Sequence, residues 1–237
     1  ELMLLMPPSE IFFGINDNGG SSAFDIYLID FGGSSDGNFG IDVCDEENRC
    51  SGFINIENDF SGYAYGSRRE GLETVVPHEF FHAVQAAYLS AFPTWISEGT
   101  AVWSQRKYKA NNRDFISHAS YYLESLDRPL YKPPTGPVQA FSYGTGLWWD
   151  FIDLRYGKTF IATLLNAWTK VKVESDFVRI MAEQINLSKG DLSKDWFDFS
   201  IACLATGKKS GDASVFDYSK NLRGVKFKKA AKEIDDT

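Results

Sequence analysis

An α+β fold, with strands first and helices after, follows from three features of the sequence. Up to residue 71, short runs alternate apolar and polar residues between clusters of Gly, Asn, Asp and Ser, the texture of strands and turns. From Leu72 onward apolar residues recur every three or four positions, the spacing of helices that bury one face. The texture changes once, and neither an internal repeat nor a low-complexity tract is present. We therefore expect a β-rich lobe over 1–71, a helical lobe over 72–207, and a basic tail or linker over 208–237.

In chain order, Phe24–Phe31 mixes β-formers with alternating polarity, and the cluster Gly32–Gly37 ends it as a turn. Gly52–Asn58 alternates again, with Ile54 and Ile56 on one face and Phe53, Asn55 and Glu57 on the other. Helices are expected over Leu72–Ser90, Thr94–Lys107, Arg113–Leu126, Gly144–Tyr156, Thr159–Lys170, Ser175–Asn186 and Leu192–Ala205. Pro133–Pro137 reads as a rigid loop dividing them. The last thirty residues hold eight Lys/Arg and five Asp/Glu, and Val225–Lys228 alternates like an edge strand. A docking segment, an edge strand and a linker all fit that tail.

Composition narrows the function classes. With 43% hydrophobic residues and 19 Phe, 11 Tyr and 6 Trp, the chain can bury a core without covalent staples. A net charge of −8 disfavours nucleic acid as a partner. No apolar run approaches the length of a membrane span. Between residues 14 and 60 there are ten acidic residues and one basic, and Asp17-Asn18-Gly19 with Asp25 is a candidate Ca²⁺ loop. Cys44 and Cys50 bracket a short polar loop and can close as a local disulfide, whereas Cys203 lies in an apolar helix and reads as a buried thiol. That pair favours a secreted protein, and Glu1 in place of an initiator methionine fits removal of an upstream signal or pro-segment.

The chemistry concentrates in His78-Glu79-Phe80-Phe81-His82, an HExxH pattern holding two of the three histidines. Histidines at i and i+4 share one helical face, so two imidazole nitrogens can meet one ion. Glu79 lies about 100° round the helix, where it reaches a water without ligating the metal. Chance supplies this pattern in about one chain in five hundred of this composition. A zinc site needs a third ligand. In Trp95-Ile-Ser-Glu98-Gly-Thr-Ala-Val-Trp103, Glu98 is a lone acid in an apolar helical stretch, where an unpaired carboxylate is costly and a cation would offset it. A salt bridge would meet the same need, and His118, in a polar helix beside Ser117 and Ser120, is the competing ligand.

HExxH followed by a helical glutamate resembles the gluzincin metallopeptidases, which include thermolysin and aminopeptidase N. Trp95-Ile-Ser-Glu98-Gly-Thr-Ala101 is similar to the string carrying the glutamate ligand in aminopeptidase-N-type enzymes. His78–Gln85, taken with Trp95 and Glu98, looks closer to a family of putative secreted bacterial metalloproteases, over roughly Phe24–Trp168. The fifteen residues between His82 and Glu98 are fewer than in thermolysin or aminopeptidase N, and Pro77 replaces a small apolar residue, so a helix start or bend is expected there. The resemblance implies a zincin-like fold, Zn²⁺ held by His78, His82 and Glu98, Glu79 as general base, and a protein or peptide substrate. Tyr143, three residues before Gly146, matches the tyrosine that steadies the tetrahedral intermediate. Gly52–Asn58 stands where gluzincins carry the edge strand that pairs with substrate, which makes Ile54, Asn55, Ile56 and Glu57 candidate substrate contacts. Ile56-Glu57-Asn58 faintly matches an amine-capturing motif whose leading glycine is absent. Internal cleavage of protein chains is thus the expected activity. An aminopeptidase of similar mechanism and a non-catalytic binding or adhesion module are the alternatives.

Overall fold

The computed structural model describes residues 4–8, 21–135, 138–211 and 214–225. Among the described residues three strands, β1 (Ile26–Ile29), β2 (Gly37–Cys44) and β3 (Cys50–Glu57), precede the α-helices. These are α1 (Arg68–Ala86), α2 (Thr94–Tyr108), α3 (Arg113–Tyr122), the short α4 (Ala140–Gly144), α5 (Gly146–Tyr156), α6 (Phe160–Trp168), α7 (Asp176–Leu187) and α8 (Leu192–Leu204). The chain is α+β, with one small mixed sheet and a helical body. None of the described helices is long and apolar enough to cross a membrane.

The sheet order is β1-β3-β2, with β3 parallel to β1 and antiparallel to β2. Ile54 and Ile56, the apolar face expected of β3, are fully buried against Phe60 and Val75, so α1 packs on the sheet through its Leu72, Val75 and Val76 side. The turn expected after Phe31 is present, but it passes at Gly37 straight into β2, a strand that the sequence does not announce. Its glycines serve packing instead: a Cβ on Gly37 would come 2.5 Å from Val75 Cγ1, and one on Gly40 would come 2.7 Å from Phe53 Cζ. Phe39, Ile41 and Val43, at alternate positions, were the strand signal those glycines masked. The turn from β2 to β3 is closed by a Cys44–Cys50 disulfide, and Cys203 is a buried free thiol.

Pro77 neither starts nor ends α1. The helix begins at Arg68 because the Ser67 hydroxyl accepts from Glu70 N–H at 3.1 Å, and Pro77 lies inside it. The helical body closes around Trp95, Trp148, Trp149 and Trp168, all fully buried. Trp149 stacks on Trp95 at 5.4 Å and donates its Nε1–H to the Trp95 carbonyl at 3.0 Å. Gly99 makes that contact possible, since a Cβ there would lie 2.1 Å from Thr145 Oγ1 and 2.6 Å from Trp149 Nε1. Gly99→Ala is expected to lower stability by roughly 2–3 kcal/mol in chemical denaturation, because a rigid buried contact cannot give way. An unchanged midpoint would show that the α2–α5 contact is looser than this.

The expected tail divides at residue 225. Phe216, Tyr218 and Leu222 are buried in the helical core, and the Tyr218 hydroxyl donates to Asp150 at 2.7 Å. Three large side chains outweigh the lysines around them, so 214–225 belongs to the helical body. Lys226–Lys228, the rest of the alternating run, and the tail after it lie outside the described residues.

Candidate functional site

α1 presents His78 and His82 one turn apart, with ring centroids 4.9 Å apart. Pro93 leads the chain into α2, whose second turn sets Glu98 opposite them. Glu98 Oε2 lies 3.2 Å from His78 Nε2 and 3.6 Å from His82 Nε2. One candidate ligand atom from each of the three residues falls within 4.8 Å of the others, and no other such group occurs among the described residues. Donors at about 2.0–2.2 Å around a tetrahedral zinc stand roughly 3.3–3.6 Å apart, and the Glu98 oxygen stands at about that spacing from each imidazole nitrogen, so these three residues could hold such an ion.

The charges suit the same role. Burial works against the Glu98 carboxylate, but hydrogen bonds from both imidazoles outweigh it and hold its pKa well below the usual range. For His82, burial opposes the proton, yet the facing Glu98 carboxylate wins and lifts the pKa to about 9 when no metal is present. Glu79 goes the other way: burial raises its pKa, only partly countered by the two histidines. Its side chain rests on β2, where a Cβ on Gly37 would come 2.9 Å from Glu79 Cγ. A buried carboxyl of raised pKa is a competent proton acceptor near neutrality.

Tyr143, at the end of α4, is stacked between two imidazoles: His78 at 5.8 Å and His118 at 5.0 Å. Burial first, then the negative charge of Glu98 and Glu79, pushes the phenol pKa up, so its hydroxyl stays a donor. His118 does not join the ligand set; its Nε2 lies 3.2 Å from Asp114 Oδ2, and its ring backs Tyr143. The helix expected from Gly144 is broken at Thr145, whose hydroxyl donates to the Trp95 carbonyl at 2.7 Å and sets Tyr143 apart on its own short turn.

A cleft of about 400 Å³ unites His78, Glu79, His82, Glu98 and Tyr143 with Gly37, Asn38, Phe39 and Ile41 of β2, and with Leu89 and Phe92 beyond α1. β3 is therefore not the strand at the site. It is central, bonded on both sides, so its backbone is closed to a substrate. Ile54 and Ile56 are core residues, and the Asn55 side-chain amide donates to Asn38 Oδ1 at 2.9 Å. Glu57 is only 2% exposed and accepts from the N–H groups of Phe31 and Asn58 at 2.9 Å each, so it cannot capture an amine in the cleft. The cleft edge is β2. Glu57 N–H donates to the Asp36 carbonyl at 2.9 Å, which fixes the antiparallel phase and turns the backbone polar groups of Gly37 and Phe39 outward. Of the candidate Ca²⁺ loop, Asp17–Gly19 lie outside the described residues, and Asp25 belongs to no metal-capable cluster among those described.

No family model, curated protein or solved structure matches this chain.

Proposed function

We propose that the protein is a zinc-dependent peptidase of zincin-like type that cleaves internal bonds of extended protein chains. The observation that carries this is the convergence of His78, His82 and Glu98 beside a buried Glu79 along β2, the edge strand of the sheet among the described residues. Zinc held by the first three would supply Lewis-acid polarisation and bring the pKa of a water down towards about 7. Glu79 accepts the proton of the attacking water and passes it to the leaving amine. The Tyr143 hydroxyl donates a hydrogen bond to the oxyanion as its charge grows. The outward groups of β2 pair with the substrate backbone, as an edge strand does with any extended peptide. Burial of Glu57 favours internal cleavage over release of N-terminal residues. The Cys44–Cys50 bond fits an oxidising compartment and hence secretion.

Purified protein is expected to carry one zinc per chain and to digest casein or gelatin, with chelation stopping the digest and zinc restoring it. Protein that binds no zinc and shows no metal-dependent cleavage would reject the proposal. Tyr143→Phe separates chemistry from packing, because phenylalanine keeps the stack between His78 and His118. We expect kcat to fall roughly 10²-fold with KM nearly unchanged. A silent substitution would reduce Tyr143 to a spacer.

A further inference from the structure

Gln85 is 3% exposed, lies one turn beyond His82, and takes part in no step above. Its Oε1 is 2.9 Å from His82 Nδ1, while its Nε2 reaches the Ser97 carbonyl at 2.8 Å and Thr100 Oγ1 at 2.7 Å. Those last two partners settle which way the amide faces. A carbonyl oxygen can only accept, and the Thr100 hydroxyl proton is already given to the Ile96 carbonyl at 2.8 Å. Both must receive hydrogens from the Gln85 amide, so its oxygen faces His82. That oxygen can only accept, and His82 Nδ1 must therefore carry a proton. The neutral ring then has its lone pair on Nε2, the atom that faces Glu98.

We propose that Gln85 is a positioning residue of the metal centre, holding His82 in the tautomer that ligates through Nε2 and tying it to the α2 turn that carries Glu98. This rests on the zinc reading above. Ser97 is the neighbour of Glu98, so one side chain sets both the orientation of a ligand on α1 and the distance to the ligand on α2. The two histidines differ in this respect. His78 Nδ1 is buried with no hydrogen-bond partner among the described residues, and its ring is stacked on Tyr143. The directional control of the centre thus falls on Gln85.

The test measures zinc affinity by chelator competition in wild type, Gln85→Met and Gln85→Glu, with the unfolding midpoint of each metal-free protein recorded alongside. Methionine has nearly the same length but offers His82 only a weakly accepting sulfur, and its zinc affinity should fall about 10–100-fold. Glutamate keeps the acceptor and, when protonated, also donates to the Ser97 carbonyl, so its affinity should stay within about threefold of wild type. Equal affinity in all three proteins overturns the proposal, since a merely structural glutamine would move the midpoint and not the affinity. A glutamate variant as weak as the methionine variant overturns it as well. If the methionine variant does not fold, Gln85→Ala takes its place: a loss of affinity of about 10–100-fold beside a glutamate variant that keeps it supports the proposal, and unchanged affinity rejects it. Wild-type protein that binds no zinc would instead fail the functional reading itself.

Discussion

Glu79→Gln is expected to bind zinc as the native protein does and to lose peptide hydrolysis by roughly 10²–10⁴-fold. Glutamine has the size and shape of glutamate but no lone pair basic enough to take a proton at neutral pH. Glu79 sits 7% exposed among His78, His82 and the Gly37 backbone, so no solvent carboxylate can stand in for it. It touches the cleft without being one of the three converging ligands, which is why metal content should survive. Removing a buried carboxyl of raised pKa also relieves a desolvated charge, so the variant should be no less stable than wild type. Zinc analysis beside a casein digest reads both halves of the prediction. Undiminished hydrolysis would take proton transfer away from Glu79. A wild type that binds zinc but cleaves nothing, with the variant alike, would point to a recognition module.

Glu98→Ala should cost more in metal than any change outside the ligand set. It removes one of three donors and the carboxylate that faces both imidazoles, so the loss should exceed the roughly 10–100-fold typical of a supporting hydrogen bond. His118→Ala is the control: it unstacks Tyr143 and should leave zinc in place. In the metal-free protein the same substitution has a pH signature. His82, raised from 6.5 to about 9, contributes stability that is full below pH 6.5 and lost as pH rises through about 9. Glu98, depressed below 4.5, contributes stability that is full above pH 4.5 and lost on acidification. Chelated wild type should therefore be helped most by this pair between about pH 4.5 and 6.5, and Glu98→Ala should flatten that profile. Equal zinc retention in Glu98→Ala and wild type would remove Glu98 from the ligands.

The parts of this protein that the sequence by itself determined are those written in local spacing. Two histidines four apart fall on one face of any helix that contains them, whatever packs around it. The seven long helices declare themselves through three- and four-residue periodicity, β3 through Ile54 and Ile56, and the disulfide through two cysteines on one short turn. Everything that depends on which distant surfaces meet was left to the tertiary structure. Glu98 and His118 were both open as partners for the histidines until α2 crossed α1 and α3 turned His118 onto Tyr143. The strand that borders the cleft proved to be β2 rather than β3, because the sheet order β1-β3-β2 puts β3 in the middle. Gly32 and Gly33 do make the turn that the sequence announces, but Gly37 at its end belongs to β2 and is there so that α1 can lie against that strand. Lysines that read locally as a tail flank Phe216, Tyr218 and Leu222, all buried, with Tyr218 set against Phe115 of α3 and Asp150 of α5. Periodicity reports which face of an element is apolar; only the packed fold decides what that face is pressed against.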